Sequence, residues 1–200
     1  AAKKPLIISG TSLQDPAIME AAAQVAQNLG ENAGLSLTVP EVNSMGMAIL
    51  GGQSLEQAFA QDYDTIVIVE NDLYRRLPAK QIDAALAKAK DIIVLDHAET
   101  ETEKKANIVL SAASFAEGDG TVVSQEGRAQ RFYQVYDASY YKPEYAIKES
   151  WRWIHAIETG VKGQAISWTV LDDVIESVAK NVPALEAIQD VSPNAGFRVH

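Results

Sequence analysis

The chain has 200 residues, 47% of them hydrophobic, which suits one α/β domain or one domain with an appendage. Its 27 acidic residues against 17 basic ones give a net charge of −10, and the Lys and Arg are scattered, so the basic face that nucleic-acid binding needs is missing. There is no Cys, which excludes a disulfide, a thiolate zinc site or an iron–sulfur cluster held by this chain, and no apolar run approaches the roughly 18 residues of a membrane span.

Ala1–Pro5 lacks the long apolar segment of a signal peptide. A strand signal follows at once, and this abrupt start reads as that of a piece cut from a longer chain. Pro5–Ser9 predicts a buried strand closed by Gly10, and Thr11–Gln14 a loop. Asp15 is placed to cap a helix whose first turn holds Pro16, with Ile18, Ala22, Val25, Ala26 and Leu29 on one face and Gly30 as the stop. Leu35–Val39 predicts a second strand, so the unit is strand, helix, strand.

Asn43–Gly52 reads as a loop of small residues, and Ser54 as the cap of a helix over Leu55–Gln61. Thr65–Val69, β-branched almost throughout, predicts a strand covered on both faces. A helix over Pro78–Lys90 turns Ile82, Ala85, Leu86 and Ala89 inward, and Asp91–Leu95 is a fourth strand. Thr100 and Glu103 form a capping box, followed by a further strand at Asn107–Leu110.

Ser114–Tyr136 predicts a hairpin, with a buried Phe115, strands at Thr121–Val123 and Arg128–Tyr136, and a turn at Ser124–Gly127. After a tyrosine-rich linker, Glu144–Thr159 and Trp168–Ala179 predict two helices, the second capped by Ser167, and Pro183–Ile188 adds a turn. The fold class expected is a doubly wound, mostly parallel α/β sheet with flanking helices, plus a β-hairpin and a C-terminal helical pair. Residues 1–140 are expected to form the α/β domain and 141–200 a helical extension packed on it.

Open α/β sheets bind ligands beyond the carboxyl ends of their strands. Those ends carry Ser9-Gly10-Thr11-Ser12, Glu70-Asn71-Asp72 and Asp96-His97. The first is a turn of small residues able to accept a phosphate, or only a turn. The other two are acidic and would repel a phosphate unless a metal or base intervened. Neither GxGxxG nor GxxxxGK[ST] is present.

His97, His155 and His200 have no second His or Cys at metal-ligand spacing. His97 occupies a position open to catalysis or to plain hydrogen bonding, and His155 reads as surface or interface. Glu117 and Asp119 are an acid pair for proton transfer or a solvated turn. Arg128 and Arg131 either hold an anion or pair with Glu117 and Glu126. Trp151 and Trp153 face different ways, one into the core and one toward a contact.

The runs Leu95–Thr102, Ala106–Ala113, Phe115–Glu117, Gly120-Thr121 and Glu126-Gly127-Arg128-Ala129-Gln130 resemble the molybdopterin oxidoreductase superfamily. Within it, Glu126–Asp137, Tyr140-Tyr141 and Glu149–Ala156 are most similar to the large G subunits of bacterial NADH-quinone oxidoreductase, respiratory complex I. The resemblance implies a C-terminal piece of a longer subunit, whose Cys-rich iron–sulfur modules lie ahead of this region. It implies a place on the cytoplasmic side of the inner membrane. The partners implied are the rest of the subunit and other peripheral-arm subunits, with no nucleic acid and no membrane insertion.

Two motif positions depart from the family pattern, Ser124 for Asn and Ser111 for Pro. With the acidic strand ends, they imply a scaffold that kept the fold and lost the molybdenum site, non-catalytic by itself and holding no cofactor or metal. The alternative is a working molybdopterin oxidoreductase segment, in which Ser9, Gly10, Thr11, Ser12, Asp96 and Arg128 touch the pterin dinucleotide. A third reading, an unrelated small-molecule or nucleotide-binding module, rests on fold class alone. An apolar patch is expected where the parent chain was cut, and would drive homodimer formation in isolation.

Overall fold

A computed structural model describes residues 2–13, 15–164 and 168–191. The expected cap Ser167, the terminal His200 and the loop residue Gln14 lie outside the described residues. In chain order the elements are β1 (Leu6–Gly10), α1 (Pro16–Asn28), β2 (Gly34–Thr38), α2 (Ser44–Leu50), α3 (Leu55–Phe59), β3 (Thr65–Val69), α4 (Ala79–Leu86), β4 (Asp91–Asp96) and β5 (Ile108–Ser111). They continue with β6 (Gly120–Val123), β7 (Ala129–Phe132), α5 (Ala138–Tyr141), α6 (Ser150–Lys162), α7 (Leu171–Asn181) and α8 (Ile188–Val191). The class is α/β, with parallel sheets, flanking helices, a short hairpin and C-terminal helices. The parallel strands are divided between two sheets, β1-β2 and β3-β4-β5.

The chain forms two compact units. The first takes the chain up to Gly52, Thr121–Arg131 and the described residues from Ala179 to Val191. In it β1 and β2 pair in parallel, from Leu6 opposite Gly34 to Gly10 opposite Thr38. Helix α1 makes the crossover that parallel pairing requires. Asp15 caps it, its carboxylate accepting a hydrogen bond from Ala17 N at 3.0 Å, and Pro16 fills the first turn. Gly10 is dictated by closeness: a Cβ there would lie 2.6 Å from the Thr38 carbonyl oxygen.

Two expectations change in this unit. Strand β1 is not buried, since Leu6 and Ile8 are 60% and 67% exposed, and Ile18 and Val25 of α1 and Leu29 just after it face outward while Ala26 is covered. A two-stranded parallel sheet is too narrow to cover the faces its residues present. The stretch read as a loop contains a helix, α2. Met45, Gly46 and Ile49 are its covered residues, at helical spacing, and Gly51 and Gly52 end it at positive φ. The Asn43 side chain before it accepts a hydrogen bond from Val123 N at 2.8 Å, tying β6 to this unit.

The second unit takes Gln53–Gly120 and Phe132–Val178. Strands β3, β4 and β5 lie in sequence order, all parallel. Ser54 and Gln57 cap α3 reciprocally. The core is Ile68, Leu73, Ile82, Leu86, Ile92 and Val94, with Leu55, Phe59 and Leu77 packed against it. The sheet face bearing Ile66, Ile68, Ile92 and Val94 is therefore the one covered by α3 and α4. On β3 the expectation of two covered faces fails, because Val67 and Val69 are exposed.

Thr102 is fully buried. Its hydroxyl accepts a hydrogen bond from Leu73 N at 2.7 Å and donates one to Asp72 Oδ1 at 2.8 Å. Thr100 caps the turn before it, accepting from Glu103 N at 3.1 Å. The segment after the tyrosines joins the sheet at Ala112, which bridges in parallel to Lys148, with Ala113 N donating to Lys148 O at 2.8 Å. The Trp153 indole donates to Ser111 O at 2.9 Å and fastens α6 there.

Candidate functional site

The parallel register sets Val69 beside Leu95 and Asp96 beside Ser111, so β3, β4 and β5 end together. Chain leaving these ends supplies the polar groups of the second unit. Glu70 follows β3 with φ of 48°, in the left-handed region that a non-glycine residue enters at a cost. Its amide donates to Leu95 O at 2.7 Å, and its carboxylate accepts a hydrogen bond from the Ser150 hydroxyl at the start of α6. Asp72 is held by Thr102 and by Tyr74 N.

Asp96 ends β4 with its side chain 6% exposed. Its Oδ1 accepts hydrogen bonds from His97 N at 2.7 Å and Ala98 N at 3.3 Å, and lies 3.3 Å from His97 Nδ1. Asp96 and His97 open onto a cavity of about 510 Å³, whose wall includes Glu99, Glu103, Val109, Glu117, Glu144, Tyr145 and Ile147. Five carboxylates line it, with no Lys or Arg. The Glu117 carboxyl is held below its usual range by hydrogen bonds from Ser114, with His97 adding a smaller pull. One of those bonds is Ser114 N to Glu117 Oε2, at 2.9 Å.

Such a cavity attracts cations and hydrogen-bond donors and repels anions. A unit charge 4 Å from another is worth about 4 kcal/mol near a protein surface. A pyrophosphate set among these carboxylates would face several such repulsions with no Lys or Arg in the lining to offset them. The strand ends of this unit thus do not fit an anionic pterin dinucleotide. Among the described residues no cluster of three or more His, Cys, Asp or Glu is arranged to hold a metal ion.

The sequence candidates fall into both units. Ser9, Gly10, Thr11 and Ser12 belong to the first, where β1 runs into a 3₁₀ turn at Thr11–Leu13. Arg128 is also in the first, exposed on the β6–β7 turn, with its amide donating to Ser124 Oγ at 3.3 Å. Asp96, His97 and Glu117 come together in the second. Phe115, expected to be buried, is 60% exposed and stacks on Phe132 with ring centroids 4.3 Å apart.

His155, read as surface or interface, is half-buried near Trp168, and Nδ1 of His155 and Nε1 of Trp151 are buried without a hydrogen-bond partner among the described residues. Sequence reading missed Glu99, Glu103, Glu144, Tyr145 and Ile147 as cavity residues. Glu99 and Glu103 carried one signal, their closeness to Asp96 after β4. Residues 144–147 carried none, because contacts distant in sequence, the bridge between Ala112 and Lys148 among them, bring them to the sheet.

A family model for molybdopterin oxidoreductase matches residues 1–158. The chain is 51% identical over its whole length to the NADH-quinone oxidoreductase G subunit of Pseudomonas putida strain KT2440. It is 47% identical over 99% of its length to the G subunit of Escherichia coli strain K12, and 46% identical over the same share to that of Salmonella typhimurium strain LT2. It spans 23% of the length of each of these relatives.

Proposed function

Because the chain belongs to the molybdopterin oxidoreductase family, we propose that it is the part of an NADH-quinone oxidoreductase G subunit that keeps this family's fold as a scaffold and holds no redox centre. In this reading it serves the peripheral arm of respiratory complex I, on the cytoplasmic side of the inner membrane, and it is non-catalytic by itself. Electrons pass through iron–sulfur clusters held elsewhere in the subunit, and the partners of this segment are the rest of that subunit and neighbouring peripheral-arm subunits. Among the described residues no helix is long and apolar enough to cross a membrane.

The observation that carries the proposal is the cavity at the ends of β4 and β5, where five carboxylates and His97 stand without a Lys or Arg at the place an open α/β sheet offers a ligand. A second reading, in which a pterin dinucleotide touches Asp96 or Arg128, rests on position alone, since Asp96 lies at the usual ligand end of such a sheet. Arg128→Ala and Asp96→Asn in the full-length subunit separate the two. The scaffold reading expects NADH–quinone electron transfer and molybdenum content unchanged by either substitution. A loss of molybdenum on Arg128→Ala would favour the pterin-binding reading.

A further inference from the structure

We infer that the tyrosine-rich segment 135–145, with Phe115 beside it, is a docking surface for a separate polypeptide that meets it with Lys or Arg set among apolar side chains. This rests on the reading above that the subunit works among neighbouring subunits.

The whole surface belongs to the second unit. The amides of Val135 and Tyr136 both donate to Ala116 O, at 3.0 and 2.9 Å, which seats the segment beside Phe115. The Tyr136 and Tyr141 rings stack with centroids 5.9 Å apart, and Tyr140 meets Tyr141 edge-on at 5.1 Å. Yet Val135, Tyr140 and Tyr141 are 83%, 80% and 69% exposed. Large apolar side chains that touch one another and keep most of their area in water form a patch of the kind that marks a protein contact. Tyr joins an apolar ring to a polar tip, so it is stable in water before binding and buries area on binding, and it is enriched where separate proteins meet. A face covered permanently by its own polypeptide resembles a domain core and is built from Leu, Ile and Val instead.

Charge selects the occupant. Asp137 and Glu144 stand in the segment against Lys142, whose Nζ is engaged in donating to the Tyr145 hydroxyl at 2.8 Å. Glu144 and Tyr145 also line the cavity of about 510 Å³, with its five carboxylates and no Lys or Arg. Hydrogen bonds from Ser139 hold the Asp137 carboxyl below its usual range, as those from Ser114 do for Glu117, so both are charged at neutral pH. Beyond Tyr145 a smaller cavity brings in Lys148 and Arg152, but Arg152 pairs with Glu149 at 2.8 Å and Lys148 lies over the Trp153 ring. Such a surface repels an acidic partner and draws in a basic one. A second copy carries a net charge of −10 and is repelled. The first unit does not supply the positive charge either, since its five bases, Lys3, Lys4, Arg128, Arg131 and Lys180, are outnumbered by seven acids.

The test uses the full-length subunit in its assembled complex, with the photo-cross-linking residue p-benzoylphenylalanine placed at Val135, at Tyr140 and, as a control, at the exposed Lys80. Irradiation and peptide mapping by mass spectrometry identify what each position touches. Val135 or Tyr140 is expected to capture a Lys- or Arg-bearing peptide of another subunit, in yield several-fold above the control, and Glu144→Arg to lower that yield several-fold. Capture of the same polypeptide, its first unit included, of a second copy, or of a peptide without Lys or Arg would overturn the inference. So would yields at both positions no higher than at Lys80, or a yield that Glu144→Arg leaves unchanged. Two insertion points guard against one of them disturbing the fold, and the iron–sulfur absorption of each preparation reports an intact subunit. Pterin measured on the same samples separates the two levels: its presence sinks the scaffold reading and leaves the cross-link result standing.

Discussion

Replacing Thr102 by Val keeps the shape of the side chain and removes its hydroxyl. In a fully buried site that hydroxyl accepts from Leu73 N at 2.7 Å and donates to Asp72 Oδ1 at 2.8 Å. The variant leaves the Leu73 N–H buried without an acceptor, which costs about 1–3 kcal/mol. Asp72 is only partly buried and keeps the bond from Tyr74 N, so its loss adds roughly 1 kcal/mol at most. The expected destabilisation is therefore about 2–3 kcal/mol, or a fall in Tm of roughly 5–10 °C for a chain of this size. Thr102→Ser keeps the hydroxyl and loses one buried methyl, worth about 1 kcal/mol. Urea unfolding of the three proteins, followed by circular dichroism, gives the order. Parent, Ser, Val in decreasing stability is the expected result. A Val variant as stable as the parent, or less harmed than the Ser variant, would show that packing at Thr102 outweighs its hydrogen bonds.

Three further outcomes follow from the same geometry. Ile82→Ala empties a fully buried position on α4 and is expected to cost about 2–5 kcal/mol, whereas Val67→Ala on the exposed side of β3 stays within about 0.5 kcal/mol in this chain; paired denaturation curves check both. At Glu70, Ala and Gly both lose the bond to Ser150, but only Gly fits a φ of 48°, so Glu70→Gly should exceed Glu70→Ala in stability by about 1 kcal/mol in the same assay. The folded-state pKa of Glu117 lies below its ordinary value, so the stability it contributes is present above the unfolded pKa of about 4.3 and is lost as pH falls through the lower, folded one. Denaturation midpoints of the parent and Glu117→Gln should accordingly differ at neutral pH and converge on acidification below about pH 4, and a gap that widens in acid would contradict the assignment.

The elements fixed by local chemistry were legible in the residues alone. Asp15-Pro16 announced α1, Ser54 announced α3, and Thr65–Val69 announced β3 at its observed bounds. Which faces would be buried was less legible, because hydrophobicity along a chain records what must be covered and not what covers it. Leu6, Ile8 and Val67 are apolar as for a core, yet exposed in this chain. Met45–Leu50 was hidden by its glycines, which suggest a loop until the covered Met45, Gly46 and Ile49 show a helical face. At the candidate site, Asp96, His97 and Glu117 could be singled out from strand ends and turn residues. Glu144, Tyr145 and Ile147 enter the cavity through long-range contacts such as the bridge between residues 112 and 148, which has no local signature.

The most direct test of a retained scaffold is the composition of the purified full-length subunit, with molybdenum, tungsten and iron by elemental analysis and pterin by fluorescence after oxidation. Iron without molybdenum, tungsten or pterin is the predicted result. Near-stoichiometric pterin together with either metal would contradict it, and would mean that the carboxylates around Asp96 do not bar the dinucleotide.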